Sequence, residues 1–396
     1  VLTQVLLDPD ATLEDSVTYD ITAWSLIEAY GLDAVASTQR LSLKDTEYTM
    51  PAFKNPLASV SLDEVYAFVL PWTDFGAAQF LAAALQEGLQ VRTAGGKSTF
   101  GNQQVPAGSI VINKGDNRTV MNFAQKVAKL VEDHEVDILP LMTGFSTSGS
   151  DLGSSNYNLI NNPKIATLAG EGVNTNEFGQ VWHFFENDLG YPIQIYNLDD
   201  MTDVFRDDVD VLILPEGRFS FSKSESEALM NWIRSGGKLI SIGSANRSLA
   251  GKDGFGLKYK KAKEADDDGE DKRLLPYGGS ERRYISNYVP GAIVHTEMDV
   301  TYPLSFGLGA DYRSLKTSGM AFDYLENGIN AGRIRKGAVM NGFTGVNAKE
   351  KLQESLSFGV ENKGRGQVVY LVDNPLYRGF WQNGKLLFSN ALFQVN

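Results

Sequence analysis

His183 and Glu186 stand three residues apart in the stretch VWHFFENDLGYP (residues 181–192). That spacing sets an imidazole and a carboxylate on neighbouring turns of one helix, where both can reach a single zinc ion. A bound zinc would polarise a carbonyl and activate water for hydrolysis. The ion also needs a third protein ligand converging on the same point. The chain has three histidines; His134 lies in an earlier part of the chain at a helix end, and His295 lies far downstream in GAIVHTEMDV, which alternates like a strand. On a helical wheel begun at Phe178, Val181, Trp182, Phe185 and Leu189 fall on one apolar stripe. His183 falls on the opposite, solvent side and Glu186 at the flank. The wheel favours surface roles for His183 and Glu186 and a structural one for His295, with a zinc site of His183, Glu186 and His295 as the alternative.

Composition bounds the rest. At 396 residues the chain is long for one core, and two lobes are expected. Its hydrophobic fraction of 42% is that of a globular protein, and its net charge of −13 argues against nucleic acid or an anionic membrane as partner, since phosphates are bound by clustered Lys and Arg. With no cysteine there is no disulfide, thiolate nucleophile or Cys-based metal site. No run approaches the roughly 18 apolar residues of a membrane span. The chain begins at Val1 rather than Met, and the expectation is that a signal peptide or upstream domain has been removed.

The elements that must position any site follow from periodicity. VYAFVLP, LQVRTA, GSIVIN and VDILPL read as strands, and DFGAAQFLAAALQEG and VMNFAQKVAKLVED as amphipathic helices. The polar stretch TGFSTSGSDLGSSNYN then predicts a boundary, giving lobes at 1–150 and 151–396. Alternation resumes with KIATLAG, a helix through NEFGQVWHFFENDLG, PIQIYN, DVLILPEG, the helix SKSESEALMNWIRSGG and KLISIG, and ends with SLSFGV, GQVVYLVD and the helix KLLFSNALFQ. This pattern predicts an α/β protein of three-layer, doubly wound, mostly parallel sheets in both lobes. KKAKEADDDGEDKRLLPYGGSERR interrupts it as a charge-dense, solvated loop.

In the second lobe LPEG after a strand, a helix ending WIRSGG, and the strand KLISIGSANRSL resemble the class I glutamine amidotransferase-like (flavodoxin-like) fold. There a nucleophile sits on a strained strand-to-helix elbow that lifts its side chain clear of the sheet. In that family the elbow residue is Cys; here an ungapped comparison has Gly243, with Ser244 next, and Glu216 replaces a Gly of the family's PGG turn. Ser244 is the candidate nucleophile, but no histidine follows it until His295, so the favoured reading is a retained scaffold without its chemistry. Gly170 and Gly172 in AGEG could cradle an anion at a helix N-terminus or simply make a tight turn. With Glu216, Gly217, Gly243 and Ser244 they outline the candidate binding cleft.

Longer stretches are similar to another family. SVTYDITAWSLIEAYGLDA (16–34), TGFSTSGSDLGS (143–154), AGEGVNTNEFGQVWHFFENDLGYPI (169–193), LILPEGRFS (212–220), WIRSGGKLISIGSA (232–245), GAIVHTEMDVTYPLSFG (291–307) and VVYLVDNPLYRGFWQNGKLLFSNALF (368–393) resemble the C-terminal region of bacterial zinc carboxypeptidases of the carboxypeptidase A type. The resemblance implies a secreted or periplasmic parent whose upstream domain binds zinc and hydrolyses peptides, with this region, amidotransferase-like domain included, as a non-catalytic accessory. No zinc ligand of that family maps onto this chain, and no cofactor is expected in it. Two residues depart from the family's pattern: Glu28, where an aromatic is expected, and Tyr302, where the family often has His. Tyr19, Asp20, Trp24 and Tyr30 form a polar-aromatic cluster suited either to capping this region's own core or to docking the upstream peptidase domain. Tyr377, Arg378, Phe380 and Trp381 could line a pocket or pack the last helix, and as a sensor the cleft would take peptide or glycan fragments, a peptide being the partner expected.

Overall fold

The computed structural model describes residues 25–32, 34–35, 37–39, 49, 51–261 and 276–396. Tyr19, Asp20, Trp24 and most of the charge-dense loop lie outside them. The chain forms two compact units: residues 32–162 with 189–191, and residues 163–188 and 192–396, to which helix α1 (Leu26–Tyr30) belongs. The division falls at 162 rather than 150. Among the described residues no helix is long and apolar enough to cross a membrane.

The first unit contains β1 (Ala67–Leu70), α2 (Phe75–Gln86), β2 (Val91–Ala94), the hairpin β3 (Ser98–Phe100) and β4 (Gln103–Val105), β5 (Ile110–Asn113), α3 (Phe123–His134), β6 (Leu139–Leu141) and β7 (Tyr157–Ile160). Asp74 caps α2 by accepting from the Ala77 amide, and the run of alanines lets that helix bury nearly all round. Its sheet runs β6-β1-β5-β2-β7, and every neighbouring pair is antiparallel. This corrects the expected parallel, doubly wound sheet. Each strand–helix–strand crossover skips one position, which a strand of opposite direction then fills, so β1 to β6 have the β-α-β-β-α-β order of a ferredoxin-like fold with β7 added at the edge.

The polar stretch read as a linker belongs to this unit. Leu152 and Tyr157 are buried, Tyr157 pairs with Ala94, and the Ser150 amide donates to Ser98 Oγ at 3.0 Å. Hydrogen bonds hold this segment where apolar burial is scarce.

The second unit is built on β8 (Ile165–Ala169), α4 (Thr175–His183, running on as a π-helical turn Phe184–Leu189), β9 (Gln194–Asn197), α5 (Met201–Val204), β10 (Val211–Leu214), α6 (Lys223–Ser235) and β11 (Lys238–Ile242). Then come α7 (Ser280–Ser286), β12 (Gly291–Met298), β13 (Asp311–Lys316), β14 (Ile329–Ile334), β15 (Met340–Phe343), α8 (Val346–Leu352), β16 (Ser355–Lys363), β17 (Gly366–Leu371) and α9 (Gln382–Ser389). The sheet has ten strands in the order β13-β12-β14-β16-β17-β11-β10-β8-β9, with β15 beside β12. β9, β8, β10, β11 and β17 are parallel. From β17 to β13 every pair is antiparallel. Parallel pairing is thus confined to half of a mixed sheet, and that half has the 2-1-3-4-5 order of flavodoxin-like sheets.

Its strands read as continuous apolar runs because they are buried on both faces: Leu212, Ile213, Leu214, Leu239 and Ile240 are fully buried. The box of Ser222 and Glu225 starts α6. Lys238, buried at the start of β11, donates to the carbonyls of Ala391 and Leu392 and so closes the last helical turn; burial pushes its amine down to about 7. The apolar stripe expected on α4 is buried at Val181, Phe185 and Leu189, whereas Trp182 is 45% exposed.

Candidate functional site

The crevice of a flavodoxin-like sheet lies beyond the carboxyl ends of its strands, where the order reverses. Here β8 leads to β9 on one side and the chain returns to β10 on the other. The loops after β8, β10 and β11 carry Gly170, Gly172, Glu216, Gly217, Gly243 and Ser244, the six residues read from the sequence as a cleft.

The loops meet through backbone. The Arg218 amide donates to Gly172 O at 2.7 Å and the Asn174 amide to Glu216 O at 2.9 Å. A Cβ at Gly172 would stand 2.7 Å from Arg218 O. That glycine therefore serves close loop packing. The first turn of α4 is capped by the Asn174 side chain, which accepts from the Asn176 amide, so the tight-turn reading of AGEG fits better than an anion cradle.

Gly243, which the sequence comparison sets at the elbow position, has φ +52°, a left-handed conformation that side chains resist. The space where an elbow side chain would project is taken by Glu216: a Cβ at residue 243 would overlap its Cδ. The Ser244 amide donates to Glu216 Oε2 at 3.1 Å, and the Gly217 amide donates to Ser244 Oγ at 3.0 Å. Asn246 ties the elbow to the neighbouring strand by donating to Gly243 O and Leu371 O.

Two further elements bring polar groups to Glu216, and neither was read from the sequence. Glu177, in the first turn of α4, accepts from Asn374 Nδ2, which also donates to Gln180 Oε1 at 2.8 Å. Asp373, just past the end of β17, accepts from Ser314 Oγ at 2.6 Å and from the buried Lys316 Nζ at 2.7 Å. Burial and the nearby Glu216 carboxylate push Glu177 up to about 7, against hydrogen bonds from Asn374 and Gln180 and the charge of Arg378. Burial raises Glu216 as well, opposed by its bonds to Ser244. The signal that could have found these residues is positional: DN after a parallel strand, and an acid in the first turn of the helix after β8.

The zinc candidates do not converge. His183 is half exposed with Nδ1 3.5 Å from Asp188 Oδ2, Glu186 is exposed, and His295 Nδ1 on β12 lies 3.3 Å from Asp311 Oδ2. Among the described residues no group of three or more His, Asp or Glu stands close enough to hold a metal. Elsewhere in the unit, Glu28 in α1 is buried and pairs with Arg313 Nε at 2.6 Å, and Ala29 packs with Ile293, Leu315 and Trp381. Tyr377 and Phe380 pack on the same cluster, while Tyr30 is exposed. Arg378, with φ +49°, lies over the Tyr377 ring and faces Glu177 through its charge.

No protein-family model matches the chain, and no curated protein matches it. Among solved structures it is similar to a ThuA-like protein from Bacteroides uniformis (14% identity, 58% of this chain and 90% of that one, TM-score 0.36). It is also similar to a glutamine amidotransferase from Thermotoga maritima (10% identity, 58% and 96%, TM-score 0.34). A β-galactosidase from Bacillus circulans is matched over 69% of this chain and 34% of its own length, at 10% identity and a TM-score of 0.33.

Proposed function

We propose that this chain is a non-catalytic accessory region of a secreted or periplasmic zinc carboxypeptidase-like protein, and that its second unit is a three-layer, class I glutamine amidotransferase-like domain that has lost its nucleophile. The observation that carries the loss is the Glu216 carboxyl seated in front of Gly243, in the space an elbow side chain needs. Ser244 does not replace it. Its hydroxyl takes the Gly217 amide, a donor that an oxyanion would otherwise use, and the titratable group beside it is Glu216 rather than a histidine. Zinc and the peptidase chemistry belong, on this reading, to an upstream domain to which this region docks; the motifs resembling the carboxypeptidase family support that assignment.

The test is a serine-directed fluorophosphonate probe on the purified chain, paired with an assay of the protein carrying its natural upstream sequence. The expected result is no labelling here, and chelator-sensitive release of C-terminal residues by the longer protein. Labelling that disappears in Ser244→Ala would overturn the reading, as would a longer protein with no carboxypeptidase activity.

A second reading, a peptide sensor, is favoured by Glu177, whose carboxyl ionises near neutrality beside the amides of Asn374 and Gln180. That set suits the amino group of a peptide. Thermal shift with a free-amino peptide, set against its acetylated form, separates this reading from a silent scaffold.

A further inference from the structure

On the other side of the loop after β10 lies a cavity of about 810 Å³, within the volume range of sites for small organic ligands. Its chemistry runs against the molecule's balance. In a chain of 36 basic and 49 acidic residues, the wall presents Arg218, Lys223, Arg234, Arg247 and Lys252 against Glu227 and Asp253. Lys223 and Glu227 lie 3.9 Å apart and offset one another. Three arginines and a lysine then face a single aspartate. Among the described residues no ion pair engages Arg218, Arg234 or Lys252, and Arg247 Nε donates only weakly, to Met320 Sδ at 3.4 Å.

The floor is apolar. Leu229 and Met230 are buried, and the rings of Phe219 and Phe221 stack at 5.9 Å with 19° between their planes. The Phe219 amide donates to Ser248 Oγ, which fixes this loop against the segment carrying Arg247. The N-terminus of α6 is already satisfied by its capping box, so recognition of charge falls to side chains.

We infer that this cavity is a binding site for a small amphipathic anion: a carboxylate or phosphate group held by the arginines, joined to a planar or apolar body laid on Phe219 and Phe221. Guanidinium groups bind both kinds of oxyanion in bidentate fashion, and the aromatic floor rewards an apolar body. The inference stands apart from the carboxypeptidase reading and uses none of the cleft residues that face Glu216.

Isothermal titration of the whole chain with N-acetyl-phenylalanine, phenyl phosphate, inorganic phosphate and N-acetyl-phenylalanine amide tests it. Saturable binding of either aromatic anion, weakened by added salt, is expected, and the tighter of the two identifies the head group. Inorganic phosphate should bind about tenfold more weakly, and the uncharged amide should not saturate. The double variant Arg218→Gln/Arg247→Gln should lose about tenfold in affinity with an unchanged melting temperature; Phe221→Ala should weaken the aromatic anions and leave inorganic phosphate unaffected. The inference fails if neither aromatic anion saturates, if the amide or inorganic phosphate binds as well, or if the arginine variant binds like the parent.

Discussion

Gly243 and Glu216 depend on one another. A side chain at residue 243 must accept a left-handed backbone and displace a half-buried carboxyl that is bonded to the Ser244 amide. Gly243→Ala should therefore destabilise the chain by about 2–3 kcal/mol. Adding Glu216→Gly should recover part of that loss, because it empties the colliding volume; chemical denaturation of the two variants measures the coupling. Glu177 makes a prediction of opposite kind. Its folded carboxyl ionises near 7, above its ordinary value of 4.5, so the folded state holds a proton that the unfolded chain has released. Stability from this group is complete below about pH 4.5 and is lost as pH rises through 7. Melting temperatures from pH 5 to 8 should fall, and Glu177→Gln should flatten that slope.

Among the elements, the antiparallel half of the large sheet does more than extend it. β13 and β17 are four steps apart, which in a flat sheet is roughly 19 Å. Yet Lys316 at the end of β13 meets Asp373 just past β17 at 2.7 Å, and Trp381 Nε1 donates to Arg313 O. The sheet must coil strongly for its far strand to reach the end of its parallel half. The buried Lys316–Asp373 pair fastens that coil. Lys316→Met alone leaves an uncompensated carboxylate and should cost about 3–5 kcal/mol, whereas Lys316→Met with Asp373→Leu should cost much less. Urea midpoints of the single and double variants distinguish the cost of a stranded charge from the worth of the pair.

Across the molecule, element type is legible in the sequence and direction is not. Runs such as AFVL and IVIN announce buried strands, but nothing in them says whether a helical crossover lands next to its partner or one place beyond. In the first unit that single ambiguity separates a parallel sheet from an antiparallel one. The unit boundary falls later than composition suggests because a Ser- and Asn-rich segment can be ordered by hydrogen bonds that leave no hydrophobic trace. The glycine loops and Ser244 are legible as segments that meet because strained turns demand particular residues; Glu177, Asp373 and Asn374 are not, since what brings them there is the order in which distant strands are laid down.

That order has a consequence for biogenesis. β17 is the last of these strands to leave the ribosome, yet it sits between β11 and β16, near the middle of the sheet. Until residues 366–371 emerge, two half-sheets wait with open flanks, each offering unsatisfied amides and carbonyls to any neighbouring polypeptide. A chain stopped at residue 365 should consequently be recovered as aggregate rather than as a smaller folded protein, a difference that sedimentation after expression would reveal at once.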